Sequence, residues 1–341
     1  MTTYGELTPV NVITGFLGSG KTTLLQRLLH SPELSDVAVL VNEFGEIGLD
    51  HHLLQAVAES TVLLGNGCLC CAVRGDLQQA LRNLLSQRAR GEVPHFRRVV
   101  IETSGLADPS PIAYTLLSEQ VLRHHFRLSG IITTVDVVNG ASQLGKFNEA
   151  VKQVSMADRL VVTKTDLSDE PSLAALRARL RALNGSAQIL ESTEVRGAVH
   201  QVLTDDIYDA AGKVREARHW VAEEVDAGVA DHTAGVASFV VVFDRPLDWT
   251  AFGVWASMLL HRHGTDVLRL KGLLNVAGVP TPVLINGVQH IVHPPSHLER
   301  WPDSDRRSRL IFIVRGLHRA RIERSLAAFN DLVNTPAAVL A

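Results

Sequence analysis

The residues that most constrain how this chain can fold are Gly15 to Thr22, which read Gly-Phe-Leu-Gly-Ser-Gly-Lys-Thr. They match the phosphate-binding pattern G-x-x-x-x-G-K-[ST], in which a glycine-rich turn leaves a buried strand and opens a helix. The flanking residues fit that context, because Val10 to Thr14 is apolar and β-branched and Thr23 to Leu29 carries leucines at helical spacing. The pattern therefore predicts an α/β domain that binds a nucleotide phosphate, rather than a plain glycine-rich turn.

Each residue type in this loop has a physical reason. Glycines allow main-chain torsions that other residues avoid and let the chain close on an anion. Main-chain N–H groups and the N-terminus of the following helix attract phosphate. Lys21 is expected to reach the β- and γ-phosphates, and the Thr22 hydroxyl is expected to bind Mg²⁺. The residues predicted to contact nucleotide here are Gly15, Gly18, Ser19, Gly20, Lys21, Thr22 and Thr23.

Length and composition narrow the classes of protein. A chain of 341 residues exceeds one typical domain, so two domains are expected. Hydrophobic residues make up 46% and charged residues 20%, an ordinary globular composition. The net charge of −3 argues against a nucleic-acid or anionic-membrane partner. We expect a cytoplasmic protein, because the chain has no apolar run of about 20 residues and no signal-peptide pattern at its N-terminus.

Apolar strand patterns alternate with helical patterns through the first part of the chain. Six or seven such strands predict a doubly wound, mostly parallel sheet. The regular pattern is lost from Asp205 to about Gly235. The strands that follow have fewer crossovers, which predicts a smaller α+β domain with a mostly antiparallel sheet and helices on one face. We assign residues 1–222 to the phosphate-loop domain, 223–235 to a linker and 236–341 to the second domain.

A polar, glycine-bearing segment, Asn42 to Asp50, follows the predicted strand Val37 to Val41. Loops that contact ligands follow the carboxyl ends of strands in sheets of this type. Two interpretations are open for this segment. It is either a nucleotide-responsive switch that offers Glu43, Glu46 or Asp50 to a cation, or a solvated connection.

All three cysteines, Cys68, Cys70 and Cys71, lie within four residues, between a predicted strand and a predicted helix. An odd, clustered set is a poor disulfide framework and a good metal or redox site. A helix N-terminus favours thiolates, which suit Zn²⁺, Co²⁺ or Cu⁺. Three sulfurs cannot close a tetrahedral zinc site by themselves, which favours a transferable site with an open position. The alternatives are buried small residues or a redox sensor.

The predicted strand Phe96 to Glu102 ends in a carboxylate and is followed by a glycine-containing loop that reaches Pro109. A carboxylate at the tip of an apolar strand is typical of the Walker-B position of phosphate-loop enzymes. Glu102 is expected to act on Mg²⁺, directly or through water. Gly105 is expected to let a main-chain N–H approach the γ-phosphate.

The strand Arg159 to Val162 leads into Thr163-Lys164-Thr165-Asp166, which matches the guanine-binding signature N-K-x-D with Thr in place of Asn. The Asp166 carboxylate can accept from guanine N1–H and from the N2 amino group, which adenine does not present. Lys164 is expected to pack its stem along the base. The usual Asn braces neighbouring loops, so Thr163 is a departure. Glu191 to Glu194 is expected to wall in the base.

With these motifs in one order, the chain resembles the CobW family of metal-chaperone GTPases over nearly its whole length. The most specific feature is Gly67-Cys68-Leu69-Cys70-Cys71, placed between the phosphate loop and the E-T-S-G-x-A-D-P sequence of Glu102 to Pro109. The later stretches Leu268 to Leu274, Ile285 to Gln289 and Ser308 to Ile313 are similar to the C-terminal domain of that family.

The resemblance implies a GTPase that holds a transition metal through Cys68, Cys70 and Cys71 and delivers it to a client metalloprotein as GTP turns over. Zinc is the commonest metal in the family, with Co²⁺ as the alternative. Glu43 is a candidate fourth ligand in the GTP state, and Thr22 and Glu102 are the candidates for Mg²⁺.

Other functions stay open at this point: cobalt or iron insertion, a non-catalytic metal-responsive regulator, and a cysteine redox switch. The chain also departs from the family in two places. Many members carry a histidine-rich stretch between the domains, where this chain has only His232. Some members place a metal-binding histidine where Glu119 stands.

Overall fold

The computed structural model describes residues 4–31, 34, 36–41, 62–65, 74–194, 202–203, 208, 210–222 and 235–334. The chain divides into two compact units. The first contains Met1–Arg181 and Ala187–Asp209, and the second contains Ala182–Ser186 and Ala210–Ala341. None of the described helices is long and apolar enough to cross a bilayer.

The first unit is built on a seven-stranded sheet in which every strand pair is parallel. Its strands are β1 (Thr8–Gly15), β2 (Val37–Val41), β3 (Val62–Gly65), β4 (Arg98–Glu102), β5 (Phe126–Asp136), β6 (Arg159–Thr163) and β7 (Gln188–Glu191). The described helices of this part of the chain are α1 (Lys21–Leu29), α2 (Arg74–Ala89), α3 (Ser110–Ser118), α4 (Gly140–Lys146), α5 (Asn148–Met156) and α6 (Glu170–Leu183). The prediction of a doubly wound parallel sheet is confirmed.

Hydrophobic periodicity explains these elements. The central strands are buried along nearly their whole length, as expected for a sheet covered on both faces. Helix α1 buries Leu24, Leu25 and Leu28 in the same apolar cluster as Ile13 of β1. Burying each such side chain, rather than leaving it exposed, contributes about 1.5–3 kcal/mol to the stability of the fold.

The strand order β3-β2-β4-β1-β5-β6-β7 places β1 at the centre of the sheet. From β1 the chain moves first to one side, to β2 and β3, and later to the other side, to β5, β6 and β7. In open α/β sheets ligands bind at the carboxyl ends of the strands where the order reverses. The phosphate loop leaves β1 at that point.

The helix predicted from about Gly145 to Met156 is two helices. Phe147 separates α4 from α5 and has extended torsions, with φ −123° and ψ 118°. Its ring stacks on the ring of Phe16 in the phosphate loop, with 4.6 Å between the centroids. Interrupting the helix at this residue lets an aromatic ring reach the loop, which a helical pattern alone does not predict.

The second unit contains an antiparallel sheet in the order β11-β10-β9-β13-β8, with β12 paired to β10. Its strands are β8 (Val236–Phe243), β9 (Val267–Leu274), β10 (Val283–Val288), β11 (Ile291–Val292), β12 (Ser296–His297) and β13 (Ser308–Arg315). Helices α8 (Trp249–His263) and α9 (Arg319–Asn334) pack on one face of this sheet, where Trp255, Leu270 and Phe312 share a core. The prediction of an α+β module is confirmed.

The stretch in which the sequence shows no regular pattern contains a further helix, α7 (Ala210–Ala222). Trp220 of α7 is buried, and its ring lies 5.2 Å from the Lys271 ammonium. Lys271 follows Leu270 in β9 and therefore faces the opposite side of the sheet. Helices thus cover both faces, not one. The second face is hard to recognise in the sequence because it buries charged residues such as Lys271 and Arg269.

Candidate nucleotide and metal site

The phosphate loop has the backbone geometry that its glycines predict. Gly15, Gly18 and Gly20 have φ values of 141°, 70° and 90°, in the region that favours glycine. A Cβ on Gly15 would also collide with Thr134 and would lie 2.7 Å from the Ser19 hydroxyl. The Ser19 and Thr134 hydroxyls are hydrogen-bonded at 2.6 Å. The loop is therefore held against β5 as well as by its own turn.

The Lys21 side chain is buried at the start of α1. Its Nζ donates to the carbonyl oxygens of Gly15 and Phe16, at 3.1 and 3.3 Å. These bonds hold the ammonium group over the loop. A positive charge fixed beside exposed main-chain N–H groups at a helix N-terminus is suited to binding phosphate.

The Thr22 hydroxyl meets Glu102 at the adjoining end of β4. Thr22 Oγ1 donates to Glu102 Oε1 at 2.6 Å. Parallel pairing of β1 with β4 brings Ile13 opposite Glu102 and so places the carboxylate beside the loop. Two convergent oxygen groups at a phosphate site fit the ligand preference of Mg²⁺. The structure thus brings together two residues 80 positions apart that the sequence analysis assigned to the same ion.

The loop after β4 packs closely on the phosphate loop. A Cβ on Gly105 would lie 2.6 Å from Leu17 Cδ2 and 2.7 Å from Leu17 N, so only glycine fits here without movement. Thr103 Oγ1 donates to Thr14 Oγ1 at 2.8 Å, which ties the start of the same loop to β1. Gly105 therefore lies directly against the main chain of the phosphate loop.

At the end of β6, Lys164 is fixed by a residue that the sequence analysis did not single out. Lys164 Nζ donates to Asp136 Oδ2 at 2.7 Å. Burial by itself would raise the pKa of Asp136, but hydrogen bonds from Lys164, Asn139 and the main-chain N–H of Val138 outweigh it and hold that pKa below its ordinary value. The carboxylate stays ionised at neutral pH and pins the lysine.

Asp136 could have been recognised from the sequence, since it is an acidic residue at the tip of a buried strand in an α/β pattern. Asp166, two residues after Lys164, lies in a short 3₁₀ turn and is exposed. The open position leaves its carboxylate available to a base that enters from solvent.

The predicted transition-metal ligands Cys68, Cys70, Cys71 and Glu43 all lie outside the described residues. Within the described ranges no group of three or more histidine, cysteine, aspartate or glutamate side chains is arranged to hold a metal ion.

Glu119, which the sequence analysis identified as a departure from the family pattern, has partners within the first unit. It accepts from Arg82 and Gln78 of α2 and from the main-chain N–H groups of Val121 and Leu122. Burial opposes ionisation of Glu119, but these hydrogen bonds lower the pKa of the carboxyl below its ordinary value. Glu119 therefore links the end of α3 to α2.

Comparison with known proteins agrees with this geometry. The family profile described as "CobW/HypB/UreG, nucleotide-binding domain" matches residues 9–191, and the profile described as "Cobalamin synthesis protein cobW C-terminal domain" matches residues 236–330. The chain is 34% identical to the zinc chaperone YjiA of Escherichia coli over 304 residues, which are 89% of this chain and 93% of that protein.

Two further similarities extend the comparison. The zinc-regulated GTPase metalloprotein activator 1 of Schizosaccharomyces pombe is 36% identical over 208 residues, 59% of this chain and 49% of that protein. The crystal structure of Zn(II)-bound YjiA GTPase from E. coli superimposes with a TM-score of 0.71 at 28% identity, covering 95% of this chain and 99% of that one.

Proposed function

The chain belongs to the CobW/HypB/UreG family, and on that premise we propose that it is a GTP-hydrolysing metallochaperone. It binds Zn²⁺ through Cys68, Cys70 and Cys71 and delivers the metal to a client metalloprotein. The observation that carries the hydrolytic part is the 2.6 Å contact between Thr22 and Glu102 beside the phosphate loop. The zinc assignment is supported by the relatives named zinc chaperone and by the zinc-bound structure.

Each residue of the nucleotide site has a task in hydrolysis. Lys21 and the loop N–H groups bind the β- and γ-phosphates, and Gly105 presents a main-chain N–H to the γ-phosphate. Thr22 and Glu102 hold Mg²⁺, which when bound neutralises charge on the phosphates. Asp166 selects guanine by accepting from N1–H and the N2 amino group, while Asp136 keeps Lys164 in place along the base.

The sheet order supports a link between nucleotide and cargo metal. β3, β2 and β4 are neighbours in the sheet. The cysteine motif follows β3 in the sequence, Asn42 to Asp50 follows β2, and the Glu102 to Pro109 loop follows β4. Loops after adjacent parallel strands share one edge. We propose that GTP orders the segment after β2, so that Glu43 completes the site begun by the thiolates, and that hydrolysis releases Glu43 and the metal.

The test is the Zn²⁺ affinity in the two nucleotide states, measured by competition with a chromogenic chelator. With a non-hydrolysable GTP analogue bound, the affinity should be roughly 5- to 150-fold higher than with GDP, the range of a typical coupling free energy. Linkage requires Zn²⁺ to raise the affinity for the analogue over GDP by the same factor. Equal Zn²⁺ affinities in the two states would rule out gated delivery.

Three variants separate the parts of the proposal. Cys70→Ser should weaken Zn²⁺ binding and leave GDP binding intact. Glu43→Gln should keep basal Zn²⁺ binding and lose its dependence on nucleotide, whereas the matched control Glu46→Gln should retain that dependence. Loss of GDP binding in Cys70→Ser would show that the cysteines are structural. Delivery itself is checked by metal analysis of tagged candidate clients purified from cells with and without the chaperone.

A further inference from the structure

Gln153 lies in α5, buried against the loop that follows β4. Its Nε2 donates to the carbonyl oxygens of Gly105 and Ala107, at 3.2 and 3.0 Å. The residue is 1% exposed. Because both neighbours are carbonyl oxygens, which only accept hydrogen bonds, the amide nitrogen must be the atom that faces the loop.

The same loop is confined on its other side by the phosphate loop. Gly105 packs on the main chain of Leu17 so closely that a Cβ would lie 2.7 Å from Leu17 N. The peptide at Gly105 is therefore enclosed between the phosphate loop and the side chain of Gln153. Leu17 limits movement of this peptide toward the phosphate loop, and the two hydrogen bonds from Gln153 oppose its displacement from that position.

Helix α5 is itself a fixed reference. Thr133 Oγ1 of β5 donates to Gln153 O at 2.9 Å, which ties the helix to the sheet at the same residue. At the N-terminal end of α5, the Phe147 ring stacks on Phe16 of the phosphate loop. Gln153 thus has a scaffold fixed to both the sheet and the phosphate loop.

A purely space-filling role does not require an amide at this position. Gln153 Oε1 is buried and has no hydrogen-bond partner among the residues that the structure describes. A buried acceptor without a donor destabilises the fold, and a leucine or methionine of similar size would avoid that loss. What the amide adds is the pair of bonds to the loop.

We propose that Gln153 is a positioning residue for GTP hydrolysis: it holds the peptide of Gly105 so that the main-chain N–H of Gly105 meets the γ-phosphate. Gln153 acts through Gly105 and does not touch the nucleotide. Since GDP has no γ-phosphate, the contribution of Gln153 is confined to GTP binding and turnover. This inference rests on the proposed role of Gly105 in the GTPase.

The experiment compares the parent with Gln153→Leu, which has no donor, and with the isosteric Gln153→Glu, whose carboxyl has one donor when protonated and none when ionised, so that neither variant can keep both bonds. Affinities for GDP and for a non-hydrolysable GTP analogue are measured by titration, and kcat and KM for GTP by phosphate release. Both variants should bind GDP within about 2-fold of the parent and the analogue roughly 5- to 50-fold more weakly, with a fall in kcat. Ser155→Ala, which removes another buried hydrogen-bonding side chain of α5, the hydroxyl that donates to Val151 O at 2.8 Å, is the matched control and should behave as the parent.

Two results would overturn the inference. The first is parental analogue affinity and kcat in both Gln153 variants. The second is loss of GDP and analogue affinity by the same factor, since that pattern reports a structural role only. Gly105→Ala, tested in parallel, distinguishes a failure of the inference on Gln153 from a failure of the proposed role of Gly105. If it loses analogue affinity while the Gln153 variants do not, only the inference on Gln153 fails. If it too retains that affinity, the role of Gly105 fails as well.

Discussion

Thr163 Oγ1 lies 2.7 Å from the carbonyl oxygen of Ser19 and donates a hydrogen bond to it. Both residues are buried. The second nearby carbonyl, Val135 O, is 3.4 Å away, so the single hydroxyl proton goes to Ser19. Thr163 stands where the guanine-binding signature usually has Asn. The bond shows that threonine still braces the phosphate loop against the strand that carries the base-binding residues.

Removing this brace should loosen the phosphate loop. Thr163→Val keeps the shape but leaves the buried carbonyl of Ser19 without this donor, at a cost of about 1–3 kcal/mol. We expect a lower free energy of unfolding and weaker binding of GDP and GTP alike, measured by denaturant titration and nucleotide titration. Thr163→Asn should retain binding, and Thr165→Val, in the same turn, should change neither quantity. Parental nucleotide affinity in Thr163→Val would contradict the bracing role.

Asp166 should determine the choice of base. The parent is expected to prefer GTP over ATP, because a carboxylate facing adenine lacks the two donors of guanine. Asp166→Ala should reduce this preference by about 1–3 kcal/mol, or roughly 5- to 150-fold in the ratio of affinities. The control is Asp169→Ala, since Asp169 accepts from Ser172 N at 2.9 Å at the start of α6. That variant should lower the stability of the fold, because it removes the cap of α6, and should leave the ratio of GTP to ATP affinity unchanged.

The pairing of Thr22 with Glu102 predicts how hydrolysis depends on Mg²⁺. Thr22→Ala removes one candidate oxygen ligand, so its GTPase rate should saturate only at higher Mg²⁺ concentrations and reach a lower maximum. Thr22→Ser keeps the hydroxyl and should stay close to the parent. Glu102→Gln should lower kcat. Its affinity for GDP, measured in the absence of Mg²⁺, should stay close to that of the parent. Identical Mg²⁺ titration curves for the parent and Thr22→Ala would remove Thr22 from the proposed ion site.

The ion pair between Asp136 and Lys164 predicts a specific pH dependence. Because the folded pKa of Asp136 lies below its ordinary value, the pair stabilises the fold above about pH 4 and is lost as pH falls through the folded pKa. Asp136→Asn should lower the free energy of unfolding by roughly 1–3 kcal/mol between pH 5 and 8. The difference from the parent should shrink below about pH 4. A difference that grows as pH falls would have the wrong sign.

Asp136→Asn should also weaken the binding of guanine nucleotides, because Lys164 loses the carboxylate that holds it in place. The loss is expected for GDP and GTP equally, since the contact is to the base and not to the γ-phosphate. This pattern distinguishes Asp136 from Gln153, whose variants should discriminate between the two nucleotides.

Most of the nucleotide-binding fold can be predicted from the sequence, because the patterns that indicate it are local. The phosphate loop, the strand tips at Glu102 and Thr163, and the leucine spacing of α1 each lie within a few consecutive residues. Apolar runs followed by glycine or acidic residues are sufficient to predict parallel strands and the edge at which they bind a ligand.

Two features cannot be predicted from local patterns: the helix that covers the second face of the antiparallel sheet, and the helix break at Phe147. The sequence analysis does not predict that α7 covers the second face of the antiparallel sheet. That face buries Arg269 and Lys271, so the strand pattern does not indicate that it is covered. The break at Phe147 is not predicted because the local sequence does not show that this ring stacks on Phe16, which lies 131 positions earlier.

The sequence by itself determined the order of the motifs, the class of the fold and the chemical type of each candidate ligand. Only the tertiary structure decided which side chains meet: Thr22 with Glu102, Asp136 with Lys164, and Gln153 with the Gly105 loop. These pairs depend on the register and order of parallel strands and on where a helix crosses a loop. Both are set by packing between distant segments, and no local pattern encodes them.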